Sequence, residues 1–222
     1  METLTRICLE KGLANKWIRD SQLKHSLEGS DARRYALVTR AIKAGELIHP
    51  QRGLYFPSPN SKWPHPFSLS QSVDSLSYIS FESALSFHHW IPELATYVTS
   101  VTPNRKSRTL ECKNLGMVKF RPLALYRSFF LEKVERITLD GQVILIASPI
   151  RAILDLVCYR KIAWTSIDWL LDGLRVDEES LRTVSANDLE RLRRVYKHKK
   201  VRDFINKLAI ELGLNLSPED LT

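Results

Sequence analysis

A chain of 222 residues with 33 Lys+Arg against 25 Asp+Glu carries a formal net charge of +8, and its 44% hydrophobic and 26% charged content is that of a globular protein. That usage excludes collagen-like, mucin-like and wholly disordered chains, and the longest apolar run, Val143 to Ala147, is far short of the ~20 residues a membrane span needs. Cys8, Cys112 and Cys158 are widely spaced without a C-x-x-C pair and the N-terminus has no apolar signal stretch, so a cytoplasmic protein with reduced thiols, no disulfide framework and no zinc site is expected.

Residues 1–57 read as three helices and a hairpin. The first helix runs through Leu4, Ile7, Cys8 and Leu13 and ends near Gly12, and the second is expected from about Ile18 to Leu27. Ser30 or Asp31 can cap a third helix reaching Gly45, where a left-handed C-cap is natural. Glu46 to His49 and Leu54 to Phe56 then flank a break at Pro50-Gln51-Arg52-Gly53. Three helices followed by a short hairpin is the order of a winged helix-turn-helix. At about 100° per residue the third helix places Tyr35, Val38, Ala41 and Ile42 on a core stripe. The opposite face carries Ala32, Arg33, Ala36, Thr39, Arg40 and Lys43. Small residues there would let the backbone approach a major groove, Arg and Thr can reach base edges, and Lys holds phosphate. Arg33, Thr39, Arg40 and Lys43, with Gln51 and Arg52 at the hairpin tip, are the candidate DNA-binding residues.

Four of the ten prolines fall in Pro57 to Pro66, so residues 58–70 read as a semi-rigid linker and residues 71–222 as a second unit. There Ser80 can cap a helix with Glu82 and Ser83 in its first turn, Phe81, Ala84, Leu85 and His88 recur at helical spacing, and Pro92 stops the helix. Thr96 to Thr102 is a β-branched run, Asn114-Leu115-Gly116 and Asp140-Gly141 are turns between strands, and four or five strands are expected. Ser148-Pro149 opens a helix burying Ala152, Ile153, Leu156 and Val157, on which Asp155 is expected to pair with a nearby arginine or to cap a loop. A helix over Ile167 to Leu174 and a long one from Ser185 or Asn187 follow. The fold class is therefore α+β: an N-terminal winged helix-turn-helix, then a mixed α/β domain ending in helices.

Basic charge is segmental: residues 100–136 hold nine basic and three acidic side chains, and 191–202 hold eight Arg, Lys or His in twelve positions. Arg105, Lys106 and Arg108 in one loop, and Arg191, Arg194, Lys197, Lys199 and Lys200 in the tail, form a second candidate surface for DNA or an acidic partner.

The run Ala36 to Phe56 resembles the N-terminal winged helix of AbiEi-type antitoxins, the repressor halves of type IV toxin–antitoxin systems of abortive infection. Tyr78 to Pro92, Val98 to Pro103 and Ala147 to Asp155 resemble that family's three further blocks in the same order. The chain departs from the family in lacking a glycine near His89 or Trp90 and in having Ile150 where an acidic residue is usual. The resemblance implies an antitoxin domain in the second unit and a transcriptional autorepressor that binds double-stranded DNA of its own promoter, at inverted repeats and as a cooperative oligomer. It also implies that the chain counteracts a nucleotidyltransferase-like toxin without needing stable contact.

A P-loop, a G-x-S-x-G elbow, H-E-x-x-H and the deaminase signature are absent from the sequence, and no catalytic residue, metal or cofactor is assigned. Two alternatives stand beside the repressor. Glu111-Cys112-Lys113 matches the E-x-K element of a metal-dependent nuclease of restriction-endonuclease type. A protein-binding adaptor would instead present aromatic and Met side chains on the third helix.

Overall fold

The computed structural model describes residues 3–60 and 62–217; residues 1–2 and 218–222, at the ends of the two sequence units, and Ser61 of the Pro-rich segment lie outside the described residues. In α1 (Leu4–Glu10) the Thr3 hydroxyl caps the first turn by accepting from the Arg6 amide at 3.3 Å. Ile18 and Arg19 do not begin a helix: they form β1 (Ile18–Arg19), antiparallel to Tyr55 and Leu54, and α2 (Asp20–Ser26) starts one residue later. Pairing with the hairpin buries the β-branched Ile18 and satisfies backbone groups that a first helical turn would leave open.

α3 (Asp31–Lys43) is capped by Ser30, as expected. It ends in a Schellman arrangement, with Glu46 N donating to Ala41 O at 2.9 Å and Gly45 N to Ile42 O at 3.1 Å. Gly45 takes φ +71°, which the sequence anticipates by placing glycine there. β2 (Leu47–Gln51) and β3 (Leu54–Pro57) form the hairpin, in a three-stranded sheet of order β1-β3-β2. The expected break at Pro50 is a register shift between Ile48 and Gln51, which accommodates a residue with no N–H, and pairing resumes at Gln51 opposite Leu54.

Successive hairpin side chains point to opposite faces, and here both faces are buried. Leu47 and Tyr55 join a small core with Leu4, Ile7, Cys8, Ile18, Leu23 and Leu37. Ile48, Leu54 and Phe56 belong to the main core of the chain. The segment expected as a linker is structured early. Pro57 pairs with Leu47, Ser58 N donates to Glu46 O at 2.8 Å, and α4 (Pro66–Val73) buries Phe67 and Leu69. Proline suits the first turn of α4 because its missing N–H is unpaired there in any helix.

The main sheet has six strands, β4 (Tyr78–Ile79), β5 (Val98–Thr102), β6 (Arg108–Cys112), β7 (Gly116–Pro122), β8 (Val134–Leu139) and β9 (Gln142–Ala147), in the order β6-β7-β5-β4-β9-β8. The β5/β7 and β4/β9 pairs are parallel and the rest antiparallel. Both expected turns are present, and β4 exceeds the expected number because two residues carry too little periodicity to be read as a strand. α6 (Pro149–Arg160) lies where the sequence puts it, and α5 (Phe81–Phe87) starts after Ser80 as expected, but the Ser80 hydroxyl is drawn to Asp155 instead of capping the helix, which closes at a left-handed His89 before Pro92.

Beyond Cys158 the helices are shorter than expected. Trp169–Gly173 is a single π-helical turn, followed by α7 (Glu178–Leu181), α8 (Ala186–Arg193) and α9 (Lys199–Glu211). The expected long helix breaks between α8 and α9 because the backbone there pairs with another segment. Tyr126 N donates to Val195 O at 2.9 Å and Lys197 N to Ala124 O at 3.0 Å, around a bridge between Leu125 and Tyr196. The fold is thus mixed α+β, and no helix among the described residues is long and apolar enough to cross a membrane.

Candidate nucleic-acid interface

The helical phase of α3 differs from the sequence reading. Leu37, Val38 and Ala41 are buried, whereas Tyr35 is 77% and Ile42 40% exposed. α1 and the hairpin supply the small core on the Leu37 side of the helix, so the buried stripe turns away from Tyr35 and Ile42 by roughly one residue's 100°. The side opposite this stripe centres on Ala32, Ala36, Thr39 and Lys43, flanked by Tyr35 and Ile42 on one edge and by Arg33 and Arg40 on the other. Arg33 Nη1 is turned back onto the Glu28 carbonyl and Arg40 Nε donates to Ala36 O at 3.3 Å. The first-turn carboxylate, Asp31, is held by Arg34 at 3.1 Å. The last turn carries Arg40 and Lys43, whose charges suit the negative end of the helix dipole.

At the hairpin tip Arg52 is exposed and precedes Gly53, whose φ of +78° closes the turn. Gln51 Oε1 accepts from Arg108 Nη2 at the start of β6. That contact joins two sites the sequence treats separately, the hairpin tip and the loop with Arg105, Lys106 and Arg108. His49 stacks on Tyr55 at 4.8 Å, and burial lowers its pKa against the opposing pull of Asp20.

The tail cations are divided among α8 and its C-terminal end, the break after it and α9. Arg191 is paired with Glu132 at 2.5 Å, Arg194, Lys199 and Lys200 are exposed, and Lys197 stands in the break between α8 and α9. Glu111 is exposed on β6 opposite Met117, Lys113 lies beyond the strand end, and the intervening Cys112 is buried. Among the described residues no group of three or more His, Cys, Asp or Glu side chains could hold a metal ion. All three cysteines are free and buried, and burial pushes the Cys8 thiol up to about 11 and the Cys158 thiol up to about 12.

The expected arginine partner of Asp155 is Arg151, one helical turn earlier on α6, and both side chains are wholly buried. Arg151 Nε donates to Asp155 Oδ1 at 3.0 Å, and the carboxylate also accepts from Tyr78 at 3.0 Å, Ser80 at 2.7 Å and Tyr196 at 2.8 Å. The remaining guanidinium nitrogens donate to the Tyr78 hydroxyl at 2.7 Å, Glu132 O at 2.9 Å and Phe130 O at 3.4 Å. Burial is the largest single influence on Arg151 and opposes its charge, but Asp155, Tyr196 and Tyr78 together outweigh it and hold the pKa above its ordinary value. Burial raises both tyrosines well above theirs. The sequence reading leaves the arginine unnamed and the structure supplies it at (i, i+4); the two tyrosines, 73 and 45 positions from Arg151, carry no local signal. Ile150, at the position where the resembled family has an acid, is packed in the main core. The chain matches no protein-family model, and no curated protein is significantly similar to it.

Proposed function

We propose that this chain is a sequence-specific DNA-binding regulator of the AbiEi antitoxin kind, a winged helix-turn-helix autorepressor that counteracts a nucleotidyltransferase-like toxin. The carrying observation is the outward face of α3: Ala32 and Ala36 with Thr39, Arg40 and Lys43, in a unit ordered α1, β1, α2, α3, β2, β3. Small side chains let a helix backbone sink into the major groove, and cations at its edge reach guanine or phosphate. Thr39 and Arg40 then read base edges, and Lys43 fixes register on phosphate. Arg33, bonded to its own N-terminal turn, serves the backbone at the groove's edge and no longer reads a base. Gln51 and Arg52 touch the neighbouring backbone, with Arg108 beside them.

The test is a fluorescence-anisotropy titration on the DNA upstream of the chain's own gene against scrambled duplex, at several salt concentrations. With about 4 to 6 phosphates neutralised per protomer, log K against log salt should slope roughly −4 to −5. Arg40→Ala should cost about 1–3 kcal/mol on the operator and relax base preference, while Lys43→Ala weakens both duplexes alike. A flat salt response would defeat the DNA reading.

A second reading rests on Tyr35 and Ile42, which leave an aromatic and an aliphatic side chain exposed on the edge of the same helix. That is the surface of a protein-binding adaptor. It predicts no preference for the upstream DNA, and a partner interface lost on Tyr35→Ala.

A further inference from the structure

A cleft of about 1140 Å³ opens where the parallel strands β5 and β7 end, with Thr102 and Pro122 in its wall. In open sheets the carboxyl ends of parallel strands are where ligands gather. Leu76, Leu123, Leu125, Phe130 and Leu131 supply its apolar lining, and Leu76 and Leu131 are 59% and 46% exposed. Among the described residues Arg105, Arg127 and Lys197 are the charged side chains of the lining, and no carboxylate is among them. The acidic group behind it, Asp74, is occupied by Thr102 at 2.5 Å and Asn104 at 2.9 Å and so stiffens the loop that carries Arg105.

The walls are built rather than incidental. The Lys197 backbone is held by its N–H, which donates to Ala124 O at 3.0 Å, and its ammonium lies 5.6 Å from the Tyr126 ring. Phe130 packs on Tyr78 at 5.2 Å, and the buried Arg151 donates to the carbonyls of Phe130 and Glu132, on either side of Leu131. A wholly buried ion pair, costly to desolvate, thus anchors one wall of the cleft. Three cations around an apolar lining complement a ligand with a negative head and a greasy body.

We propose that this cleft binds an amphipathic anion, with an alkyl or aryl body on the leucines and Phe130 and one carboxylate or phosphate head between Arg105, Arg127 and Lys197. The full chain is titrated calorimetrically with decanoate and with decyl phosphate, which separate the two heads, and with decanol, acetate and inorganic phosphate as controls. Saturable one-to-one binding of at least one decyl anion is expected, about ten-fold or more tighter than any control, because each control lacks either the head or the body. Arg127→Ala/Lys197→Ala should weaken that binding about ten-fold or more by removing charged donors to the head. Leu131→Asp should abolish it by placing a carboxylate at the rim. All three positions are exposed, so both variants should keep the wild-type melt. The proposal is overturned if neither decyl anion saturates, if decanol binds as tightly, or if the folded double variant binds unchanged.

Discussion

Replacing Asp155 by alanine removes the acceptor at the centre of the main core. Four donors converge on that carboxylate: Arg151 Nε, the hydroxyls of Tyr78 and Tyr196, and Ser80 Oγ. Deleting it leaves a guanidinium charge in a site with no solvent access, and breaking a buried pair from one side costs about 3–5 kcal/mol. Two effects moderate the loss: Arg151 keeps the Glu132 and Phe130 carbonyls, and the Tyr78 hydroxyl still accepts from it. A loss of about 4 kcal/mol is expected in urea denaturation, equivalent to a melting temperature lower by roughly 8–16 °C for a chain of this size. Arg151→Met/Asp155→Leu, which takes both charges out but leaves the buried Tyr78, Tyr196 and Ser80 hydroxyls without that acceptor, should recover part of the loss and be less destabilised than the two single losses added together. The reasoning fails if Asp155→Ala costs less than about 1 kcal/mol, or if the double variant is as unstable as the two single losses added together.

His89 occupies a left-handed position, φ +60°, in the Schellman close of α5, with Trp90 N on Leu85 O at 2.9 Å; His89→Gly should therefore stabilise by about 1 kcal/mol, and a destabilised melt would contradict this. Burial lowers the pKa values of His49, His65 and His88 below 6.5. Below that pH the unfolded chain binds more protons than the folded one, so stability is full above it and falls on acidification. Denaturation series at several pH values should show this, and His88→Gln should flatten part of the slope; stability rising on acidification would refute the assignment. The fragment of residues 1–60 should melt without cooperativity or associate, since it uncovers Ile48, Leu54 and Phe56. A monomeric, cooperatively melting fragment would show that the hairpin's second face needs no cover.

What the sequence announced were features enforced locally: the Ser30 cap, the Gly45 stop, the Asp140-Gly141 turn and the proline start of α6. Each rests on residue types with few alternatives at those backbone angles. What it did not announce were choices made by distant partners. Ile18 joined a strand because β3 lay beside it, and the tail helix broke at Tyr196 because Leu125 offered a ladder. The phase of α3 differs from the one its composition suggests for the same reason. Tyr35 and Ile42 are hydrophobic enough to claim the stripe on composition, but the position of α1 and the hairpin decides which side is covered. Arg40 and Lys43 survive that rotation on the outward side, whereas Arg33 is drawn into the turn before the helix.

The hairpin explains why the cationic sites of both units meet. A wing strand with one wet face would alternate apolar and polar residues. Leu47-Ile48 and Leu54-Tyr55-Phe56 do not alternate, and both faces are covered. The proline-rich segment is anchored at its start, because Pro57 and Ser58 are already committed to β2 and to Glu46 O. The tip therefore stands in a fixed relation to β6, and Arg108 reaches Gln51 without ordering a linker. If α3 and the tip hold DNA as proposed, a loop placed beside the tip by the Arg108–Gln51 contact would add its charge at a smaller ordering cost than a tethered domain would.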